Sequence, residues 1–431
     1  MPEPATRRAR IPFGEAVRSR ALSNGARLFV LENRFNPTIS LSGSLCAGGL
    51  YAPAGRRLIA SITAGELSKG TERRTKLEIA EDLESRGASL SFSADASDPV
   101  GADIGGAALS RDVDVLLDAL AEILRFPVFP EEELERERKR LVGAIQQQQD
   151  STSARAYEAA TRRIYPAGHP FYRAEASERI AKVEALRRED LASFYRDRYG
   201  AATLILSVVG DFEAERLLDG LERRLSSWTQ GPPAAIPPPL PIPPSPGEET
   251  VSMPDKASAD VAMVEPSTLT RRDPDYLACS LANSALGQSS LTSRLGVRVR
   301  DMEGLTYGIH SSFSATHWPG PFVISLTVKP ESRDAAVAAA REELGKFLAS
   351  GLTEKELREE KTSRIGKFKV DLASNAGIAQ AIDAAIYYDF GVGYLDAFPS
   401  RVSAITKEEA DGAFSRRVDP EKFTVVSAGS F

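Results

Sequence analysis

"VEALRREDLASFYRDRYGAATLILSVVGDF" (183–212) and "VSAITKEEADGAFSRRVDPEKFTVVSAGSF" (402–431) close the two halves of this 431-residue chain in the same way. Each opens with acidic helix-starting residues, passes a phenylalanine (Phe194 or Phe414) and ends in an apolar, β-rich run that stops at a glycine (Gly210 or Gly429). Phenylalanine and glycine are 16 residues apart in the first and 15 in the second. Two copies are too few for a solenoid. They fit a domain of about 200 residues that occurs twice.

Between the copies lies "GPPAAIPPPLPIPPSP" (231–246), with 9 of the chain's 27 prolines in 16 residues. Such a stretch has too few N–H donors and too little freedom in φ for helix or central strand, so an extended polyproline connector is expected. At about 3.1 Å per residue it spans roughly 50 Å. The expected organisation is a first half over 1–230, a linker over 231–248 and a second half over 249–431.

Within each half, strands and helices mix. "ARLFVLEN" (26–33), "TISLSGSLCAGG" (38–49) and "PFVISLTVKP" (321–330) have the β-branched, alternating content of strands. "SRDVDVLLDALAEILRF" (110–126) predicts a helix with a Ser110 cap and apolar residues at three-to-four spacing. "SRDAAVAAAREELGKFLASG" (332–351) predicts another, stopped by Gly351. "PEEELERERKRL" (130–141) starts a helix with a proline and glutamates at its positive end, and i,i+4 pairing of Glu132 with Arg136 and of Glu135 with Lys139 gives it a solvated face. The fold class is therefore α+β: two homologous halves, each a mostly antiparallel sheet covered by helices.

Composition excludes several functions. A net charge of −6 argues against a nucleic-acid partner and gives no attraction to an anionic membrane. No apolar run approaches the ~20 residues of a membrane span. The first 22 residues lack the apolar core of a signal peptide, so a cytoplasmic location is expected, or a periplasmic one where a leader has been removed. Cys46 and Cys279, the only cysteines, stand far apart and suit buried structural thiols.

Three phrases carry more specific information: "AGGLYAPAGRRLIASITAGELSKGT" (47–71), "YPAGHPF" (165–171) and "LGQSSLTSRLGVRVRDMEGLTYGI" (286–309). Together with the order of elements and the duplication, they make nearly the whole chain resemble the pitrilysin-like, or inverzincin, zinc metallopeptidases. Active members of that family carry H-x-x-E-H on a helix before a "KGT"-like turn. Two histidines four apart share a helical face and reach one Zn²⁺, and the glutamate serves as general base. A more distant glutamate completes the ligand set. Counted back from Lys69-Gly70-Thr71, the histidine positions fall on Ser61 and Gly65, the general-base position on Ala64 and the distant ligand near Ala144. Alanine and glycine offer no ligand atom, and a lone serine is a poor zinc ligand. His169, His310 and His317, the only histidines, include no i,i+4 pair, so no rival metal site is expected in this chain.

The resemblance points elsewhere in the sequence for a contribution to hydrolysis. In two-chain members, the subunit without zinc supplies an Arg and a Tyr seven residues apart, in a phrase like "LR-x4-GL-x-Y". Here "VRDMEGLTYGI" places Arg300 and Tyr307 at that spacing. Arg300 would sit in the last turn of a helix ended by Gly304, with Tyr307 starting a strand. Taken on residue type alone, the pair also fits a solvated helix residue and a half-buried strand aromatic. Gly287-Gln288-Ser289-Ser290 resembles in position a glycine-rich substrate loop of the mitochondrial relative, and equally fits a plain turn between helices. The resemblance implies a non-catalytic subunit with no cofactor of its own, zinc held by an H-x-x-E-H-bearing partner, and peptide substrates enclosed between the two chains. The alternatives are a structural core subunit and a module that holds peptides without cleaving them.

Overall fold

A computed structural model of the chain describes residues 11–233, 235–239 and 241–431. Its first sheet has six strands: β1 (Arg18–Ala21), β2 (Arg27–Glu32), β3 (Thr38–Leu45), β4 (Ser89–Ser93), β5 (Ala102–Leu109) and β6 (Ile205–Gly210), in the order β1-β2-β6-β3-β5-β4. The second has five: β7 (Gly247–Ser252), β8 (Ala259–Pro266), β9 (Thr306–Ala315), β10 (Pro319–Val328) and β11 (Thr424–Gly429), in the order β7-β11-β8-β10-β9. In each sheet one pair is parallel, β2 with β6 and β7 with β11, and the remaining pairs are antiparallel. β6 and β11 are the apolar runs that close the two halves. Both are buried at every position, as interior strands covered on two faces must be. The duplication seen in the sequence is therefore a duplication of topology, with β1 as an extra edge strand.

The helices follow their sequence signals closely. The Val113–Arg125 helix buries Leu116, Leu117, Leu120, Ile123 and Leu124 along one stripe. Its start differs from expectation: Ser110 opens a 3₁₀ turn over Ser110–Asp112 and makes no cap, and its hydroxyl is buried without a partner. Side-chain caps occur instead at Thr75, Ser151, Thr353, Ser374 and Thr406, each accepting from the backbone N–H three residues on. Pro130 precedes the Glu131–Gln148 helix, whose face carries the Glu132–Arg136 and Glu135–Lys139 ion pairs at 3.2 and 3.5 Å. Gly351 ends the Arg333–Ser350 helix at φ +67°, its N–H donating to the Phe347 carbonyl. The Pro-rich stretch forms no helix or strand at its described residues, and β7 begins at Gly247.

The two halves are crossed. The Thr152–Ile164 helix of the first half lies on the second sheet, where Ala156, Ala159, Ala160 and Ile164 pack with Ala262, Val264, Val426 and Ala428. The Asn375–Tyr387 helix of the second half lies on the first sheet, where Ile378, Ala379 and Ile382 pack with Ile205 and Val209. Hydrogen bonds pin both crossings: Thr152 Oγ1 donates to Asp260 Oδ2 at 2.5 Å, Asn33 Nδ2 to Asn375 Oδ1 at 2.6 Å, and Ser44 Oγ to Asp383 Oδ1 at 3.2 Å. Each half thus finishes the core of the other. No helix among the described residues is long and apolar enough to cross a membrane.

Candidate functional site

The first candidate region is the helix that occupies the place of the zinc helix, Leu58–Glu66. Ile59, Ala60, Ile62, Thr63 and Ala64 are buried against the sheet and neighbouring helices, which explains why the helix persists whatever its surface does. A 3₁₀ turn, Leu67–Lys69, follows, and the chain leaves through Gly70 at φ +155°. Ser61 turns its hydroxyl back to the Leu58 carbonyl at 3.0 Å, so its donor is spent within the helix. Ala64 is 1% exposed. Gly65 faces open space, with no atom within 4 Å of a Cβ built there. Ala144, in the middle of the Glu131–Gln148 helix, is half-buried. These four positions supply no group that fits zinc. Among the described residues, no group of three or more His, Cys, Asp or Glu side chains converges in a way that could hold a metal ion.

One ionisable group there escaped sequence reasoning. Glu66 is 2% exposed, and burial pushes its carboxyl up to about 7. Its Oε2 has no hydrogen-bond partner. As a single carboxyl it makes no metal site.

The histidines have structural roles. His169 stacks on Tyr165 with ring centroids 4.1 Å apart and accepts from the Phe171 N–H at Nδ1. Burial, reinforced by the Arg57 charge, pushes it down to about 4, so it stays neutral. His317 Nε2 donates to the Tyr387 carbonyl at 2.7 Å, and His310 Nε2 meets the Ser290 hydroxyl at 3.2 Å. Burial of Cys46 and Cys279 raises both thiols above their ordinary range, to about 11 and about 12.

The second candidate region is the segment that carries Arg300 and Tyr307. It consists of two wide helical turns of π geometry, Ser284–Gln288 and Gly296–Met302, both packed on edge strand β9. Such turns are rare, and they recur at functional sites. Gly304 ends the second at φ +62°, donating to the Arg300 carbonyl at 3.0 Å, while the Leu305 N–H donates to the Val299 carbonyl at 3.0 Å. Tyr307 follows as the second residue of β9, 62% exposed, its hydroxyl without a hydrogen-bond partner among the described residues. Arg298 is tied down by Glu303 and by Glu342 at 3.2 Å. Arg300 is held only by its chain neighbour Asp301, at 3.0 Å.

The segment around this pair exposes several apolar side chains. Of nine large hydrophobic residues that stand exposed among the described residues, four (Leu291, Val297, Met302 and Tyr307) fall within 291–307. Gly287 serves packing: a Cβ there would lie 2.3 Å from Ser311 Oγ. Ser290 pairs with the free edge of β9, donating to the Ile309 carbonyl at 2.8 Å and accepting from its N–H at 2.9 Å. That gives the Gly287–Ser290 segment a structural job at the sheet edge.

Comparison with known proteins accords with this geometry. Residues 30–175 match the family described as insulinase, peptidase family M16, and residues 185–364 match the peptidase M16 inactive domain. A protein named as a zinc protease from Rickettsia felis is 24% identical over 362 residues, covering 83% of this chain and 82% of that one. A non-peptidase homolog, YmxG of Helicobacter pylori, is 22% identical over 338 residues, covering 78% and 76%. Among solved structures, a peptidase M16 inactive domain from Pseudomonas fluorescens superimposes with a TM-score of 0.86 at 25% identity, covering 96% of this chain and 98% of that one. A protease from Helicobacter pylori gives 0.83 at 17% identity, covering 96% and 99%.

Proposed function

The chain belongs to the M16 peptidase family, and from that premise we propose that it is the non-catalytic subunit of a heterodimeric zinc endopeptidase, paired with an H-x-x-E-H-bearing chain. One contrast carries the reading. The metal helix is kept as a packing element with its ligand positions blank, while Tyr307 stands exposed and unpartnered and Arg300 is held only by its chain neighbour Asp301, in a segment with several exposed apolar side chains. A partner covering Leu291, Val297 and Met302 would remove that surface from water and bring the pair to its own reaction centre.

The partner would hold the zinc, which polarises the scissile carbonyl and its attacking water. This chain's residues then have definable work. As water adds to a peptide carbonyl, negative charge grows on the oxygen. The unpartnered Tyr307 hydroxyl is a donor available to that oxyanion, and loss of one such donor costs about 10²–10³ in rate. The Arg300 guanidinium can clamp a neighbouring backbone carbonyl and fix the peptide's register. Arg298 is instead held in place by its two ion pairs, with Glu303 and Glu342.

The test is reconstitution. The chain is co-expressed with an H-x-x-E-H-bearing chain encoded next to it, and cleavage of an unfolded peptide is followed. Tyr307→Phe is expected to lower kcat by ten-fold or more, with complex formation unchanged on size exclusion. Unchanged turnover with Tyr307→Phe would remove the assignment. Capture of partners that all lack the motif would favour a structural subunit.

A further inference from the structure

The cavity beside the degenerate metal helix has a different character from a peptidase centre. It encloses about 320 Å³ between the start of the Leu58–Glu66 helix, the loop over 94–99, the loop over 167–174 and the Ala176–Glu184 helix. Ala60, Pro99, Ala167 and Pro170 give it apolar walls, and Ser61 lies on its rim. Five cations line it: Arg56, Arg57, Arg173, Arg179 and Lys182. Three are neutralised locally. Arg56 reaches Asp190 at 3.0 Å, Arg179 reaches the buried Glu158 at 2.5 Å, and Lys182 pairs with Glu178.

Arg57 and Arg173 remain without a carboxylate partner among the described residues. Arg57 bonds only to the Tyr172 carbonyl. Burial, and then the Arg173 charge, push it down to about 10. Two guanidiniums of like charge in one partly dry cleft are costly unless an anion joins them. Of the two carboxylates lining the cleft, Glu178 is taken by Lys182, and Asp95, which feels the Arg173 charge, is committed first to Ser97, at 2.5 Å from its N–H. Two free cations against one partly engaged anion leave room for a single negative charge.

We propose that this cleft binds a peptide carboxylate, carried either on an acidic side chain or at a free C-terminus. The proposal rests on the reading above that the chain walls a peptide chamber. It deepens that reading by naming what this wall selects. A carboxylate matches the charge deficit, where a dianionic phosphate would exceed it. Arg57 and Arg173 supply the planar donor pairs that bind carboxylates in bidentate fashion. The volume sits at the low end for ligand sites, enough for one side chain or chain end with its flanking backbone. The apolar walls raise the strength of the ionic contact by excluding water. This cleft takes in Ser61 but not Ala64, Gly65 or Ala144, so it would hold substrate to one side of the blank metal positions.

Titration calorimetry on the purified chain, with no partner present, tests this. Four acetylated alanine-based pentapeptides are compared at low salt. Two are amidated, with Asp or Asn at the centre, and two are all-alanine, with a free or an amidated C-terminus. At least one acidic peptide is expected to bind ten-fold or more tighter than its neutral counterpart, and which one does so identifies the carboxylate's source. Arg173→Gln, at a half-exposed and unpaired position, is expected to erase that difference while the circular dichroism spectrum stays unchanged. Arg57→Lys, which keeps charge but loses the fork, should retain part of it. Equal binding of acidic and neutral peptides, or an unchanged Arg173→Gln, would overturn the proposal, as would inorganic phosphate binding tighter than either carboxylate. Because no turnover is measured, failure here leaves the reconstitution test untouched, and the converse also holds.

Discussion

Asp383 offers a sharp test of how the halves are joined. It lies on the crossed Asn375–Tyr387 helix, 8% exposed, facing the first sheet. Burial pushes its carboxyl up to about 8; the Asp103 charge adds to this, and the Ser44 hydroxyl bond works against it. In the unfolded chain the same group titrates near 3.9. The folded state therefore binds this proton more tightly. The stabilisation is complete below about pH 4 and is lost as pH rises through 8. At about 1.4 kcal/mol per pH unit the loss has a ceiling on the order of 5 kcal/mol, and local relaxation on ionisation brings the working figure to about 2–3 kcal/mol. Asp383→Asn keeps the shape and an acceptor for Ser44 but cannot ionise. Urea unfolding followed by circular dichroism at pH 5 should place the variant within ~1 kcal/mol of the parent. At pH 9 it should be more stable than the parent by about 2–3 kcal/mol. Glu265 and Glu66, held near 8 and 7 by burial, tilt both proteins alike, so the difference between the two curves isolates Asp383. Parallel curves from pH 5 to 9 would refute the reasoning.

Other outcomes follow from the same geometry. Restoring Ser61→His, Ala64→Glu, Gly65→His and Ala144→Glu together should let the chain hold one equivalent of zinc by metal analysis, since a side chain at Gly65 meets nothing within 4 Å; no bound zinc would mean the frame itself has drifted. Gly143→Ala, in the Glu131–Gln148 helix with no neighbour within 4 Å of a Cβ, should stabilise by about 0.5–1 kcal/mol in the same urea assay. Gly351→Ala should destabilise by more than about 1 kcal/mol, because its φ is +67° and the new Cβ would fall 2.1 Å from Asp411 Oδ2. Met302→Ser combined with Leu291→Ser should weaken assembly with the proposed zinc-bearing chain by ten-fold or more and leave the thermal midpoint of the isolated chain unchanged, since both side chains are exposed.

Much of the fold was legible because the decisive signals are local. Alternating apolar residues gave β2, β3 and β10, Gly351 gave a helix end, and the paired closings gave the duplication. Ser110 misled because a serine before a helix can equally open a 3₁₀ turn, and only the path of the chain decides between them. The crossing of the halves was not legible. The small residues Ala156, Ala159 and Ala160 show that a helix has an apolar face but not which sheet it meets. Counting back from Lys69-Gly70-Thr71 put Ser61, Ala64 and Gly65 on one helix, and the phrase around Gly304 put Arg300 before a helix end and Tyr307 at a strand start, which is where they lie. The π-helical turns around Gly287 and Gly296 left no such signature. Neither did the Arg57–Arg173 pair, brought together by tertiary folding across more than a hundred residues, nor the carboxyls of Glu66 and Asp383, whose character comes wholly from burial.

The crossed helices have a mechanical consequence. Separating the halves would strip the Thr152–Ile164 helix from one sheet and the Asn375–Tyr387 helix from the other at the same moment, so neither can yield first. The prolines at 231–246 therefore act as a tether between bodies already clasped. A hinge between the two halves would have to break both crossings together. Half of the molecule made alone would leave an uncovered sheet and a stray helix whose partners lie in the missing half.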